Sequence, residues 1–226
     1  MLNLVLTAFL FFFITFSTFF VIKLPFILFF FQSFPPEVII EYSNSFITFG
    51  YFESNLQIPA LIFCALLLNP RLCFFFMLIY YFIGFTKYPI FYFGGGMEYL
   101  NEPTAGYLLT FFPIAVLLSN LAWKDKNFEK FLYNTRYIFF ISLMGLFIIH
   151  FVGLLSAIIK LFGIVNILDI IQIFFLIPFL SQILLIALIS ILATNLNRLK
   201  YFILAKYMKY IESILQKSVK RQRTVS

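Results

Sequence analysis

The segment richest in residues able to surround a small molecule runs from Tyr88 to Pro113. It holds three consecutive glycines, Gly94, Gly95 and Gly96, and it lies between long apolar runs. A break in helical structure is costly where lipid touches it, because hydrocarbon cannot satisfy a free N–H or C=O group. The pattern therefore predicts a loop that lines a cavity or faces water.

This loop supports two interpretations. In the first, it is an exposed turn in which the glycines adopt positive φ angles and Pro103 starts a helix. In the second, the missing Cβ atoms let the backbone approach a ligand, and Thr104 or Asn101 caps the following helix so that its N-terminus points into the pocket. A helix N-terminus attracts anions such as carboxylates. The residue types alone do not decide between the two.

Motifs of common enzymes are missing from the sequence. There is no Gly-x-x-x-x-Gly-Lys-Ser/Thr, His-Glu-x-x-His or Gly-x-Ser-x-Gly pattern, and His150 is the only histidine. Cys64 and Cys73 do not have the spacing of a zinc site or of a disulfide framework. We therefore expect no enzymatic activity, no cofactor and no metal, and any active transport must draw its energy from a partner.

Composition places the chain in a lipid bilayer. Of its 226 residues, 63% are hydrophobic and 11% are charged, with a mean hydropathy of +1.02. These values indicate a polytopic membrane protein. The net charge of +7 would suggest nucleic acid in a soluble protein. In a membrane protein, the excess of basic residues indicates which loops lie in the cytoplasm. No nucleic-acid partner is therefore expected.

Hydropathy predicts an all-α membrane protein with six transmembrane helices. Their approximate ranges are 4–22, 56–68, 72–85, 107–123, 137–162 and 170–193. The apolar run at 26–31 is too short to cross and is predicted to lie at the interface. A membrane domain at 1–195 is then followed by a basic amphipathic tail at 196–226, which either docks on the cytoplasmic surface or simply solubilises and orients the chain.

Charge distribution predicts the orientation. With six spans, the side that holds both termini carries Arg71, four basic residues of the loop at 124–136 and eight of the tail, thirteen of sixteen in all. The positive-inside rule places that side in the cytoplasm, or in the stroma of a plastid, so that the glycine loop faces outward. The 36 phenylalanines suggest an AT-rich genome. A bacterial inner membrane and a plastid inner envelope membrane are both consistent with it.

The order Gly-Gly-Gly-x-x-Tyr-Leu-x-Glu-Pro-Thr-x-Gly-Tyr-Leu-Leu from Gly94 to Leu109 resembles the BioY family, as does Leu-Leu-Leu-Asn-Pro-Arg at 66–71. BioY proteins are the biotin-binding membrane subunits of energy-coupling-factor (ECF) vitamin transporters. The resemblance spans about residues 56–191. It implies that biotin is bound beneath the loop and taken up in partnership with a transmembrane coupling subunit and two ATPase subunits.

The resemblance also suggests which residues surround biotin. A ureido group, an apolar ring system and a carboxylate need a few polar contacts, apolar walls and a positive group. The candidate ligand-binding residues are Gly94, Gly95, Gly96, Tyr99, Asn101, Thr104, Tyr107, His150 and Gln182. For His150, a neutral histidine bonded across helices is the commoner outcome for an intramembrane histidine.

The sequence departs from the family in two places. Many members carry Pro-Gly-Asp-Leu-x-Lys in helix 6, whereas residues 179–186 here have no charge and Gln182 is the nearest polar substitute. Some members also carry an arginine directly after the Gly-Tyr of the loop, where this chain has Leu108. The cation for the carboxylate is then Lys87, Lys160 or the N-terminus of helix 4. The Ala-x-x-x-Ala face with which helix 1 of ECF substrate-binding subunits docks on the coupling subunit is absent as well. Two alternatives therefore stay open: a subunit for another small vitamin-like molecule, and a structural or assembly protein without a ligand.

Overall fold

The computed structural model describes residues 2–28, 39–44, 47–86, 88–91, 94–123 and 134–225. The elements are α1 Leu2–Ser17, β1 Val21–Leu28, β2 Ile39–Asn44, β3 Ile47–Asn55, α2 Gln57–Leu67, α3 Pro70–Phe85, α4 Ala105–Trp123, α5 Thr135–Leu161, α6 Ile167–Ile171 and α7 Ile177–Val225. A 3₁₀ turn, Met97–Asn101, precedes α4, and a π-helical turn, Gln172–Leu176, joins α6 to α7.

The predicted membrane body of six apolar helical segments is confirmed. In the part of the chain that the structure describes, three stretches can cross a membrane by length and composition: Ala105–Trp123, Thr135–Leu161 and Ile167–Glu212. The shorter apolar helices are α1, α2 and α3. Every residue of α2 except Phe63 is buried, so neighbouring helices shield this short helix from lipid.

The segment after α1 is where the structure departs from the sequence prediction. Helix 1 was expected to reach Ile22 and the run at 26–31 to be interfacial, but α1 ends at Ser17 and residues Val21–Leu28 form a strand. This strand belongs to an antiparallel sheet of order β1-β3-β2. Pro25 lacks an N–H group and is tolerated because β1 is an edge strand. Residues 29–38 lie outside the described residues.

The last helix is longer than predicted. Its transmembrane part was expected to end near residue 193, but α7 continues to Val225 over 49 residues. At 1.5 Å per residue it measures about 74 Å, more than twice the ~30 Å thickness of the hydrocarbon core. No helix end coincides with residue 195, so the predicted tail is an uninterrupted extension of the membrane helix.

Hydrogen bonds between helix ends define the two ends of the bundle. At one end, called the loop end, Asn55 Nδ2 donates to the Thr18 carbonyl at 2.9 Å. At the other end, Ser119 Oγ donates to the Leu68 carbonyl at 2.6 Å and Asn197 Nδ2 donates to the Leu66 carbonyl at 3.4 Å. We call this second end the basic end, because the described residues Arg71, Arg136 and Arg198 belong to it.

Helices α4 and α5 cross closely because glycines lie at their contact. A Cβ atom on Gly106 would lie 2.5 Å from Ser156 Cβ and 2.6 Å from the Val152 carbonyl oxygen. A Cβ atom on Gly153 would lie 2.4 Å from the Tyr107 ring. Small residues let membrane helices approach in this way.

Gly153→Ala is expected to lower the free energy of unfolding by about 1–3 kcal/mol, the usual cost of overpacking. The Tyr107 ring cannot easily swing away, because its hydroxyl donates to the Phe174 carbonyl. Thermal unfolding of the purified protein in detergent measures the loss. Gly145→Ala is the matched control, since the nearest atoms to its Cβ would be side-chain methyl groups, those of Leu118 at 2.8 Å and of Ile114 at 3.3 Å. Equal losses in the two variants would contradict this account of the crossing.

Candidate functional site

The three consecutive glycines of the loop are required for different reasons. Gly94 and Gly96 have φ angles of +114° and +94°, which side chains rarely adopt. Gly95 is needed for space, since a Cβ atom there would lie 2.0 Å from the Tyr88 carbonyl oxygen and 2.9 Å from that of Gly84. The missing Cβ atom of Gly95 thus allows the loop to lie against the protein's own backbone at the end of α3.

Phe91 anchors the loop in the core. Its ring is 2% exposed and makes edge-to-face contacts with Tyr80, Phe85 and Tyr99 at centroid distances of 5.6, 5.5 and 5.4 Å. Gly84 leaves room for it, because a Cβ atom there would lie 2.0 Å from Phe91 Cζ. Phe91 was not among the residues predicted from the sequence to form the site. A glycine near the end of an apolar helix, followed by an aromatic residue in the loop, was the available signal.

Buried hydrogen bonds also hold the start of the loop. Gln57 Nε2 donates to Tyr80 Oη at 2.6 Å, and the Tyr80 hydroxyl donates to the Ile90 carbonyl at 3.0 Å. The Gly96 N–H donates to the Gly84 carbonyl at 2.7 Å. The loop is therefore attached to α2 and α3 by both polar and aromatic contacts.

The second half of the loop brings Tyr99 and Thr104 together. Tyr99 is buried, and Thr104 Oγ1 donates to its hydroxyl oxygen at 3.3 Å. Asn101 is exposed at the end of the 3₁₀ turn. Among the described residues, neither Thr104 nor Asn101 donates or accepts a side-chain bond with the backbone of α4. The expected capping of α4 is thus replaced by a contact within the loop.

Lys160, a candidate for the carboxylate cation, reaches the loop from the end of α5. Its Nζ donates to the carbonyls of Leu100 and Glu102, the latter at 2.7 Å. An ammonium group has three N–H bonds, so a third donor is left after these two contacts. Lys87, the other lysine considered, lies outside the described residues.

His150 and Gln182 meet inside the bundle. They are 1% and 3% exposed, and His150 Nε2 lies 3.2 Å from Gln182 Oε1. With Oε1 as the acceptor, Nε2 carries the proton and Nδ1 is an acceptor. Nδ1 is buried and has no hydrogen-bond partner among the described residues. In this tautomer Nδ1 can accept a hydrogen bond from a ligand or a water molecule, whereas in the other tautomer it would donate toward the Phe174 carbonyl, which interacts with the same ring.

Tyr107 connects this polar pair to the loop. Its ring meets that of His150 edge-on at 5.3 Å, and it lies one helical turn beyond Thr104. Its hydroxyl donates to the Phe174 carbonyl in the π-helical turn. Pro178 has no N–H group and so removes the α-helical donor that this carbonyl would otherwise have. A single tyrosine thus joins α4, α5 and the segment between α6 and α7.

A bundle of apolar helices with an irregular loop fixed at one end is the architecture of a multi-pass membrane protein. A family model described as the BioY family matches residues 42–201. The chain belongs to the BioY family, which confirms the resemblance found in its sequence.

One relative and one solved structure extend this comparison. The chain is 34% identical over 108 residues to a protein named "Probable biotin transporter BioY" from Pyrococcus horikoshii, a match that covers 47% of this chain. The match spans only 59% of that relative's length. A crystal structure of the S-component for biotin from an ECF-type ABC transporter has a TM-score of 0.64 and 17% identity, over 87% of this chain and 90% of the other. At that identity, the likeness establishes the fold.

Proposed function

We propose that this protein is the biotin-binding membrane subunit of an ECF-type transporter and mediates biotin uptake. The observation that carries the proposal is the position of Tyr107 between the loop and the buried His150–Gln182 pair. Its N–H donates to the carbonyl of Thr104 in the loop at 3.1 Å, and its ring lies 5.3 Å from that of His150, which pairs with Gln182. Family membership and the biotin-related names of the relatives support the choice of ligand.

The buried pair suits the ureido group of biotin. This group offers two N–H donors and a carbonyl acceptor. His150 Nδ1 would accept one N–H, and the Gln182 amide would serve as a second polar contact. Tyr107 and Phe179, whose rings lie 5.3 and 6.0 Å from that of His150, would form the apolar walls. The ring system of biotin would then lie inside the bundle.

The carboxylate of biotin would point toward the loop end. Lys160 is the described cation that contacts the loop, and it supplies the remaining N–H donor. The conformation of the loop above the ligand would be determined by Gly94, Gly95, Gly96, Tyr99 and Thr104. Asn101, being exposed, would contribute only where the carboxylate leaves the pocket.

Lys160→Met is expected to weaken biotin binding about tenfold, since a hydrogen bond to a charged group contributes ~1.5–3 kcal/mol. Biotin amide, which has no carboxylate, separates two roles of this lysine. If Lys160 binds the carboxylate, the variant loses the preference for biotin over the amide. An equal loss for both compounds would show that Lys160 only fixes the loop. Competition binding to the purified protein measures both affinities.

Uptake would depend on partners. The sequence has no phosphate-binding loop, so energy would come from ATPase subunits through a transmembrane coupling subunit. On α1, Phe9, Phe12 and Phe16 are 63%, 62% and 60% exposed. This apolar face would meet either lipid or the coupling subunit. The role is that of a binding and transport component with no catalytic activity of its own.

The membrane domain would comprise residues 1–195, with the basic extension of α7 on the cytoplasmic or stromal side. The described basic residues of the basic end support this orientation. Such a protein would lie in a bacterial inner membrane or in a plastid inner envelope membrane. The loop end would then face outward, where biotin arrives.

A second candidate is a subunit for another small vitamin-like molecule. The observation that favours it is the neutral interior: among the described residues, the buried polar side chains include no Asp, Glu, Lys or Arg. A ligand without a charged group would fit this interior equally well. Displacement of labelled biotin by a panel of neutral vitamins distinguishes the two ligands.

A further inference from the structure

An apolar groove follows α7 at the basic end of the bundle. Its inner part has a volume of 200 Å³ and lies between α1, α2 and α7, with walls that include Leu6, Leu67 and Leu196. Its outer part has a volume of 480 Å³ and continues along the outside of α7. The two parts share Leu199 and Ile203, so they form one continuous depression, here called the α7 groove.

The walls of the outer part are large apolar side chains that are more than half exposed. Phe202, Tyr207 and Tyr210 are 67%, 60% and 62% exposed, and Leu199 and Ile203 are more than half exposed. Contiguous apolar surface of this kind marks an interaction site. The occupant must therefore offer an apolar surface of its own.

Positive charge lies along the same groove. Lys200 and Lys206 line it, and the Lys200 ammonium group lies 5.2 Å from the centre of the Trp123 ring. From residue 196 to residue 226 the sequence has eight basic residues against one acid, Glu212. The excess of seven equals the net charge of the whole chain. An occupant that matches this groove is therefore both apolar and anionic.

The depth of the groove points to a lipid. Trp123 ends the membrane-spanning helix α4, and tryptophan is enriched where hydrocarbon meets the headgroups. Lys200 lies at this level, while Leu6, Leu67 and Leu196 lie on the membrane side of it. Basic pockets between membrane helices bind anionic headgroups at this depth.

We propose that the α7 groove is a binding site for an anionic phospholipid. One acyl chain packs between α1, α2 and α7, and the headgroup phosphate lies beside Lys200 and Lys206. The site is distinct from the loop end and does not rest on biotin binding. A lipid bound there would hold the base of the α7 extension at the membrane surface.

Quenching of Trp123 tests the site, because this residue is the only tryptophan in the chain and lies beside Lys200. The full-length protein in detergent is titrated with phosphatidylglycerol brominated on its acyl chains. Phosphatidylcholine with the same chains is titrated in parallel. Saturable quenching by phosphatidylglycerol, at an apparent Kd at least about tenfold lower than for phosphatidylcholine, is expected from two lysines near the phosphate.

Two variants and two competitors make the test specific. Lys200→Gln and Lys206→Gln are each expected to weaken phosphatidylglycerol binding about fivefold. Lys206→Gln leaves the contact between Lys200 and Trp123 intact. Lys209→Gln, which removes the same charge from an exposed position that does not line the groove, is the matched control and should leave the affinity unchanged. Glycerol phosphate and a hexaglutamate peptide should not displace the lipid.

Several results would overturn the proposal. Equal quenching by the two lipids would mean that the groove holds ordinary bilayer lipid. Displacement by glycerol phosphate would indicate a site for free phosphate esters, and displacement by hexaglutamate would indicate a site for an acidic protein segment. Equal effects of Lys206→Gln and Lys209→Gln would mean that diffuse charge, and no built site, attracts the lipid.

Discussion

Gly95→Ala is expected to weaken biotin binding by one to two orders of magnitude. The new Cβ atom would lie 2.0 Å from the Tyr88 carbonyl oxygen, a backbone atom that cannot rotate away as a side chain can. The loop must then separate from the end of α3. Overpacking of this kind costs about 1–3 kcal/mol, which corresponds to a loss in affinity of roughly five- to a hundredfold if the cost falls on the binding-competent loop.

Equilibrium binding of labelled biotin to the purified variant measures the loss. Met97→Ala is the matched control in the same loop, because the Met97 side chain is 62% exposed. Biotin affinity should stay within about threefold of the unaltered protein in that control, as expected for an exposed side chain. Unchanged affinity in Gly95→Ala, with the chain folded, would mean that the position of the loop does not control the site.

Replacing both His150 and Gln182 by leucine is expected to remove biotin binding while leaving the bundle folded. Gln182→Leu alone leaves the buried His150 Nε2–H without its acceptor, which costs about 1–3 kcal/mol of stability. Replacing both partners by apolar side chains restores most of that stability, since neither member of the pair is then left without the other. The same double replacement removes the polar contacts for the ureido group, and we expect a loss of more than about a hundredfold in affinity.

A double-mutant cycle separates the structural role of this pair from its ligand role. Thermal unfolding of the two single variants and of the double variant gives the coupling energy between the side chains. Biotin binding to the same samples gives the second readout. A double variant that is stable and still binds biotin would show that His150 is a neutral histidine bonded across helices with no contact to the ligand.

The helical body and the loop could be predicted from the sequence because their signals are local. Long apolar runs determine the spans, and Asn69 with Pro70 marks the tight turn between α2 and α3, where Asn69 Oδ1 accepts the Leu72 N–H at 2.9 Å. The three consecutive glycines between apolar runs were sufficient to predict the loop. The predicted bounds of α2, α3, α4 and α5 agree with the structure to within about two residues.

Features that depend on distant partners could not be predicted in this way. The contact of Lys160 with the loop joins residues about sixty positions apart, and no periodicity encodes it. The strand at Val21–Leu28 depends on pairing with β3, so its apolar residues resembled the end of a helix. The helical spacing of the tail was recognised in the sequence, but its continuity with the membrane helix was not, because the polar residues after 195 suggested a boundary.

One contact that was not predicted, between Tyr107 and the Phe174 carbonyl, could have been found from the position of a proline in the sequence. Pro178 lies four residues after Phe174, so the Phe174 carbonyl must lose its α-helical donor. A search for a hydroxyl group to replace that donor would have included Tyr107, which the structure places there. Tyr81 is a different case, because Pro113 frees the carbonyl of Leu109, whereas the Tyr81 hydroxyl lies between the Leu108 carbonyl and the Phe112 N–H. A proline within a membrane helix thus indicates a carbonyl that needs another donor.

Equilibrium binding of labelled biotin to the purified, folded protein is the most direct test of the proposed function. We expect saturable, submicromolar binding that unlabelled biotin displaces and that is lost in the double leucine variant at His150 and Gln182. Absence of saturable binding by a sample that unfolds cooperatively on heating would contradict the assignment of biotin as the ligand.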